Sequence, residues 1–215
     1  MAAIELDGLE RRYGERVALA GVSVRVEAGQ TLAVLGGNGA GKTTLLRILA
    51  GLLRPHGGHA RVLDAELPAE RWRLPGQVGY LGHEPLLYRD LSGRENLRYH
   101  ARLHGVADER VAMVLEQVGM ERRAGDPVRE LSRGMLQRLA VARTVLHDPP
   151  LLLLDEPRAN LDPGAAELLE PLIGRASGRT RVLVSHDVAG ALGESDVVLR
   201  LRRGRPVSGD EDLYR

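Results

Sequence analysis

The chain has 215 residues, 27% of them charged, and a formal net charge of +1 at pH 7, so nothing indicates nucleic acid or an acidic macromolecule as its main ligand. Cysteine is absent, which excludes disulfides and thiolate metal sites. The sequence shows neither an apolar stretch of the ~20 residues that span a membrane nor an apolar leader, so we expect a soluble chain that meets a membrane only through a partner.

The first third of the chain predicts strands followed by a strand–loop–helix unit. Alternating apolar residues over 4–6 and 22–26 are typical of half-buried strands. The apolar run within 31–37 ends in glycine and predicts a buried strand. A helical repeat of leucines then fills 42–53 and stops before Pro55. This order of elements is the context that a phosphate-binding loop requires.

The remainder predicts a helical lobe and then more buried strands. Residues 85–129 read as amphipathic helices, with Ser92 and Glu95 forming a capping box. A further helix ends at the Asp-Pro-Pro of 148–150. Two uninterrupted apolar runs follow, as expected of parallel strands covered on both faces, and a closing hairpin turns at Gly204.

The segment GGNGAGKT, residues 36–43, fits the phosphate-loop pattern G-x-x-x-x-G-K-[ST]. Its glycines let backbone N–H groups turn inward around phosphate oxygens. Lys42 is the only lysine in the chain, and we interpret it as a compact charge for the β- and γ-phosphates, where a planar guanidinium is too wide. The alternative is a glycine-rich turn without a ligand. The predicted nucleotide-binding residues here are Gly36, Gly37, Asn38, Gly39, Ala40, Gly41, Lys42, Thr43 and Thr44.

Acidic residues and a histidine follow the two buried strands. Asp155 ends the run LLLLD and, together with the hydroxyl of Thr43, is a predicted ligand of Mg²⁺. Glu156 is the candidate general base for an attacking water, and His186 is the candidate sensor of the γ-phosphate. With Lys42 these two make the predicted catalytic set. Taken singly, the acidic pair also suits a capped loop, and a histidine at a strand end also suits a structural role.

The segment LSRGM, residues 131–135, offers a second place for an anion. Ser132 and Gly134 stand at a predicted helix start, where a hydroxyl and free N–H groups can bind a phosphate. Taken alone, Ser132 reads equally well as an ordinary N-cap.

In chain order, Tyr13, GGNGAGKTT, YLGH, LSRGM, LLLLDEP, ANLD and SHD resemble the nucleotide-binding subunit of ATP-binding-cassette (ABC) transporters over essentially the whole chain. The resemblance implies an α/β phosphate-loop ATPase with a mainly parallel sheet core, an antiparallel β subdomain and an inserted helical subdomain. It implies one nucleotide-binding domain over 1–215. Residues 1–83 and 150–215 would form the RecA-like core with the β subdomain, and about 84–149 the helical subdomain.

The resemblance also implies roles that the residues alone do not give. Tyr13 would stack on adenine, Asp162 would lie in the loop linking two sites, and His186 would be the switch histidine. ATP and Mg²⁺ are the implied cofactors. The family works as a head-to-tail dimer, so Ser132, Gly134 and Met135 would face the γ-phosphate held by the other copy.

Two segments depart from the usual family pattern. LSRGM has Arg133 and Met135 where LSGGQ is common, which puts the side-chain contact of the glutamine in doubt. YLGH has His83 where most relatives have a glutamine near the metal and water, so the resemblance implies His83 as a further metal-site residue, able to hydrogen-bond or to ligate.

YLGH with the downstream ENLR looks like the ATPase of the haem exporter used in cytochrome c maturation. That resemblance implies a peripheral protein on the cytoplasmic face of the cell membrane, bound to a membrane permease and not to nucleic acid. The alternatives are export of a lipid, polysaccharide or drug, a soluble cassette ATPase of DNA repair or the ribosome, and an ATP-binding regulator without turnover.

His100 and His104 stand one helical turn apart and suit zinc or haem iron by spacing, but no third ligand is visible. We expect a solvated helix face there.

Overall fold

Ten strands and six helices carry residues 1–208, the part of the chain that the computed structural model describes. The strands are β1 (Ala2–Tyr13), β2 (Arg16–Glu27), β3 (Thr31–Leu35), β4 (Gly57–Val62), β5 (Ala65–Leu67), β6 (Val78–Leu81), β7 (Leu151–Asp155), β8 (Thr180–Val184), β9 (Val197–Arg202) and β10 (Arg205–Pro206). The helices are α1 (Lys42–Leu49), α2 (Gly93–His104), α3 (Asp108–Gln117), α4 (Arg133–Val145), α5 (Pro163–Ile173) and α6 (Val188–Glu194). Positions 209–215 of the expected core range 150–215 lie outside the described residues.

Within the described residues the strands form two sheets. One has the order β2-β1-β4-β5 with antiparallel pairing, and the other has the order β10-β9-β3-β8-β7-β6. In the second sheet β9, β3, β8, β7 and β6 run parallel, and only β10 pairs antiparallel. Helices α2, α3 and α4 lie between β6 and β7 in the chain. The expected α/β phosphate-loop fold with a mainly parallel core, an antiparallel β sheet and inserted helices is confirmed.

The central strands separate two apolar clusters. In β3, Leu32 and Val34 belong to the cluster shared with β1, β2 and α1, whereas Ala33 and Leu35 belong to the cluster shared with the inserted helices. The leucines of β7 alternate in the same way, and every residue of β3, β7 and β8 is buried. Burial on both faces explains why these strands read as unbroken apolar runs. It also gives the inserted helices a common core with the sheet.

Local sequence signals set most element ends. Ser92 and Glu95 form the predicted capping box, and Gly204 turns the closing hairpin with a φ of 79°. The predicted extent of the helix after the phosphate loop is wrong at its end. That helix stops at Leu49 because Gly51 takes a left-handed φ of 69°, a conformation that glycine adopts without steric cost. Within residues 1–208, no helix combines the length and apolar character that a bilayer crossing needs.

The expectation of a solvated face at His100 and His104 is only half right. His104 is exposed, but its ring stacks on that of His147 with 4.1 Å between centroids. His100 is half-buried, and its Nε2 has no hydrogen-bond partner among the described residues. His147 Nε2 donates to the carbonyl of Val78 at 3.3 Å. In residues 1–208 no group of three or more His, Cys, Asp or Glu is arranged to hold a metal ion.

We expect the free energy of unfolding to fall in mild acid because of His100 and His147. Burial lowers the pKa of His100 and of His147 from 6.5 to about 4. Between these values the unfolded chain binds protons that the native chain does not, so the free energy of unfolding falls as pH drops from about 6.5 toward 4. Each ring contributes less than ~1.4 kcal/mol per pH unit, since solvent reaches part of both.

Urea unfolding at a series of pH values checks this. His147→Gln keeps a donor for Val78 O and should reduce the pH dependence, whereas Arg122→Gln, an exposed change that removes no histidine, should leave it unchanged. Equal pH dependence in wild type and His147→Gln would contradict the assignment.

Candidate functional site

Four neighbouring parallel strands end at one edge of the large sheet, and each is followed by predicted site residues. The phosphate loop follows β3, His186 follows β8, Glu156 follows β7 and His83 follows β6. The carboxyl ends of parallel strands are where α/β folds place their ligands. The sheet order therefore brings together segments that are more than 100 residues apart in the chain.

A cavity of about 460 Å³ opens at this edge, within the range of small-molecule and cofactor sites. Most of the predicted nucleotide, metal and catalytic residues line it. They are Tyr13, Asn38, Gly39, Ala40, Gly41, Lys42, Thr43, Thr44, His83, Asp155, Glu156 and His186.

The phosphate loop is held by close backbone approach. A Cβ on Gly36, at a φ of 150°, would lie 2.2 Å from the carbonyl oxygen of Leu201 in β9. Gly41 precedes α1 with a φ of 109°, and no side chain caps that helix. The first-turn N–H groups of α1 are therefore left to a ligand, with the positive end of the helix behind them.

Lys42 lies inside the loop rather than in solvent. Its Nζ donates to the carbonyl oxygens of Gly36 at 2.6 Å and Gly37 at 3.1 Å, and the residue is 9% exposed. Burial lowers the pKa of Lys42, against the opposing effect of Asp155 and Glu156. Gly36 and Gly37 do not line the cavity, and their carbonyl oxygens hold the Lys42 ammonium in place.

Thr43 and Asp155 form an oxygen pair that fits Mg²⁺. The Thr43 hydroxyl donates to Asp155 Oδ2 at 3.0 Å, across the gap between α1 and the end of β7. Magnesium is commonly bound by one or two protein oxygens, with phosphates and waters completing its shell. A hydroxyl and a carboxylate beside a phosphate loop match that donor set.

Glu156 occupies a strained and partly dry position. Its backbone is left-handed, with a φ of 52°, and its N–H donates to Val184 O at 2.9 Å. Its Oε1 accepts no hydrogen bond from a described residue and lies 3.7 Å from His186 Nε2. Burial raises the pKa of Glu156, against the lowering effect of His186. Glu156 lines the cavity, and a carboxylate with an unpartnered oxygen at such a place suits proton abstraction from water.

Tyr13 ends β1 at the mouth of the cavity and is 44% exposed. The guanidinium of Arg11 lies 4.8 Å from its ring centroid, and Arg11 Nη1 also donates to Arg54 O at 2.9 Å. A cation over an aromatic face is attracted by the ring quadrupole, so Arg11 orients the ring.

The predicted residues of LSRGM do not line this cavity. Ser132 caps α4 by accepting from the N–H of Met135 at 3.3 Å. A Cβ on Gly134 would lie 3.0 Å from Asn160 O, so the start of α4 lies against the turn that follows Glu156. Asp162 ends that connection as the N-cap of α5, accepting from Ala165 N at 2.9 Å.

The sequence analysis missed four residues of the cavity wall: Arg16, Ala18, Arg47 and Val184. Arg16 reaches the phosphate loop from β2, with Nη2 3.1 Å from where a Cβ on Gly39 would stand. No motif marks this position, because the contact depends on the antiparallel sheet folding over the loop. Arg47 stands one turn beyond Thr43 in α1, so helical spacing was the available signal.

Residues 19–159 match the family model described as ABC transporter. The chain belongs to the ABC transporter family. Among curated relatives, it is 39% identical over 188 residues to a daunorubicin resistance ATP-binding protein of Streptomyces coeruleorubidus, covering 85% of this chain and 60% of that one. A Nod factor export ATP-binding protein of Ralstonia nicotianae is 36% identical, covering 95% and 66%. A fluoroquinolones export ATP-binding protein of Mycobacterium tuberculosis is 39% identical, covering 96% and 70%.

The chain therefore spans about 60 to 66% of the length of the first two of these relatives. Solved ABC structures share its fold. An ATP-binding subunit of an ABC transporter superposes with a TM-score of 0.87 at 29% identity, covering 96% of this chain and 88% of that one. A dimeric ATP-binding cassette bound to ADP and Pi superposes with a TM-score of 0.85 at 24% identity, covering 96% and 97%.

Gly36→Ala should destabilise the chain because its Cβ would overlap Leu201 O. We expect the free energy of unfolding to fall by roughly 2 kcal/mol or more, since the strand or the loop must move. Gly76→Ala is the matched control, because its φ is also positive, at 85°, but nothing lies within 4 Å of the added carbon. Urea unfolding of both variants measures the difference, and equal losses would contradict the close-approach argument.

Proposed function

We propose that this chain binds and hydrolyses ATP as the nucleotide-binding part of an ABC exporter, and drives export through a separate membrane permease. The observation that supports this best is one cavity lined by Lys42, the Thr43–Asp155 pair and the Glu156–His186 pair. Phosphate binding, metal binding and activation of water each have a group in it.

In this proposal the phosphates of ATP lie on the N–H groups of 38–44 and on Lys42, while adenine stacks on Tyr13. Thr43 and Asp155 would hold Mg²⁺, with His83 on the same side of the cavity. When bound, Mg²⁺ neutralises charge on the β- and γ-phosphate oxygens. Arg16 and Arg47 add positive charge along the same wall.

Hydrolysis would use the free oxygen of Glu156. Glu156 accepts a proton from a water whose oxygen attacks the γ-phosphorus; the bond to the β–γ bridging oxygen breaks, giving ADP and inorganic phosphate. His186, 3.7 Å from that carboxylate, would contact the γ-phosphate and respond to its loss.

We also propose that the site is completed by a second copy of the chain. Ser132, Gly134 and Met135 lie outside the cavity, at the Ser132-capped start of α4, where the remaining N–H groups would bind a γ-phosphate held by the partner. The chain would then act as one nucleotide-binding domain, with 1–83 and 150–215 as core and β subdomain, and 84–149 as the helical subdomain.

The names of the relatives favour a substrate other than haem. They concern daunorubicin resistance and the export of Nod factor and fluoroquinolones. We therefore propose export of an organic small molecule of that kind, with the chain bound peripherally at the cytoplasmic face of the membrane. Haem export for cytochrome c biogenesis rests only on the resemblance of YLGH and ENLR.

Lys42→Arg should weaken ATP binding at least tenfold although the charge is kept. Nζ donates to Gly36 O at 2.6 Å and to Gly37 O at 3.1 Å, and a wider planar guanidinium cannot make both contacts from the same position as a compact ammonium. Titration with a fluorescent ATP analogue gives the affinity, and Arg54→Lys, an exposed change outside the cavity, is the control. Near-normal affinity in Lys42→Arg would contradict the geometric argument.

Glu156→Gln should keep ATP binding and reduce turnover by about 100-fold or more, within the range for losing a positioned base. It should also accumulate an ATP-bound dimer, which sizing with and without ATP detects. Wild-type turnover preserved in Glu156→Gln would overturn its role, and the absence of any wild-type turnover would favour the regulator alternative.

The same ATP-locked variant, used as bait on native membranes, tests the transport assignment. Recovery of a multi-span permease supports it, and haem absorbance in that complex would restore the haem assignment. Failure to recover any membrane subunit would favour the soluble cassette alternative.

A further inference from the structure

We infer that Arg158 is a positioning residue that clamps the turn carrying Glu156 by bridging two carboxylates on α5 and α6. The inference deepens the proposed function, since it concerns the placing of the proposed base. Residues 156–160 form this turn, directly after β7.

The turn stores backbone strain. Glu156 and Asn160 both have left-handed backbones, with φ values of 52° and 61°. Such conformations cost roughly 1 kcal/mol or more in non-glycine residues. They persist only where the surroundings fix them, so the contacts of the turn decide where the Glu156 carboxylate lies.

Apolar packing beneath the turn is incomplete. A cavity of about 210 Å³ lies between the turn, α5 and α6, with Leu169 and Ile173 among its lining residues. On the other side, Gln137 of α4 donates to Glu156 O at 3.2 Å and Pro157 O at 3.0 Å. Polar contacts, rather than close apolar packing, therefore hold the turn in position.

Arg158 supplies the contacts on the cavity side. Its Nη2 lies 2.7 Å from Glu170 of α5, and its Nη1 lies 2.5 Å from Glu194 of α6. Glu194 also pairs with the buried Arg181 at 3.1 Å, and Arg181 donates to Thr31 Oγ1 at 2.9 Å. Successive ion pairs thus connect the turn to α5, α6 and β8, and the hydrogen bond to Thr31 extends the connection to the start of β3.

Because Arg158 is partly exposed, we expect its ion pairs to fix the geometry of the turn more than to stabilise the fold. The side chain of Arg158 is 46% exposed, and exposed ion pairs add little to the free energy of unfolding. Glu194 is an unsuitable target because its removal leaves the buried Arg181 without its carboxylate, and Arg181 is unsuitable because it is itself fully buried. Arg158 is therefore the residue whose removal releases the turn without unfolding the chain.

The test compares Arg158→Met and Arg158→Lys with wild type in the full chain. We expect Arg158→Met to lower kcat about tenfold with ATP affinity unchanged within twofold, since small misplacement of a catalytic group costs rate rather than binding. The kcat of Arg158→Lys should lie between those of wild type and Arg158→Met, because one ammonium contacts one carboxylate well and the other poorly. The control is Arg175→Met, which breaks a pair with Asp196 and a hydrogen bond to Glu194 O beside the clamp but leaves both carboxylate contacts of Arg158 in place.

Hydrogen exchange reads the turn without relying on activity. The N–H groups of Ala159 and Leu161 bond within the turn, to Glu156 O and Arg158 O, and should exchange at least threefold faster in Arg158→Met but not in Arg175→Met. Wild-type exchange and kcat in Arg158→Met would overturn the clamp. So would a rate loss that only follows weakened ATP binding, or a rate loss equal to that of Arg175→Met. If the wild type shows no turnover, the proposed function fails and hydrogen exchange alone decides the clamp.

Discussion

Because β3, β8, β7 and β6 run parallel, their carboxyl ends lie side by side along one edge of the sheet. The phosphate loop, His186, Glu156 and His83 each begin where one of these strands stops, so strand pairing sets the spacing of the whole site. The pairing depends in turn on burial of both sheet faces, which the inserted helices provide on one side and the β1–β2 hairpin with α1 on the other. Anything that shifts one strand would move one functional group relative to the rest.

Guanidinium groups connect these layers through carbonyls and carboxylates. Arg143 of α4 is largely buried, which lowers its pKa to about 10, and it donates to Tyr80 O at 2.7 Å and Pro85 O at 3.3 Å on either side of His83. Arg181 of β8 likewise connects β3 to α6, and Arg158 connects α5 to α6. A planar fork with several donors suits two-sided bridging of this kind. The single lysine, Lys42, stands where the phosphate loop surrounds the charge.

The predictions from sequence succeeded where the information is local. The capping box of α2, the buried strands β7 and β8, the hairpin at Gly204 and the phosphate loop all follow from residue types within a few positions of one another. The helix after the loop was predicted too long, because the leucine repeat continues past the left-handed Gly51. The haem assignment rested on YLGH and ENLR alone, whereas the names of the similar proteins concern daunorubicin resistance and the export of Nod factor and fluoroquinolones.

The sequence by itself determined the strand–loop–helix unit, the loop that would hold phosphates and the acidic pair beside it, because backbone freedom, charge and apolar periodicity act over short distances. The fold class came from the resemblance of the ordered motifs to the ABC family. Only the tertiary structure decided that Arg16 reaches Gly39, that Glu156 keeps an oxygen free 3.7 Å from His186, and that Arg158 joins α5 to α6. Each of these contacts joins segments separated along the chain, and their distances depend on how two sheets and six helices pack within the described residues. Residue types indicate which side chains could interact, whereas tertiary packing determines which of them are in contact.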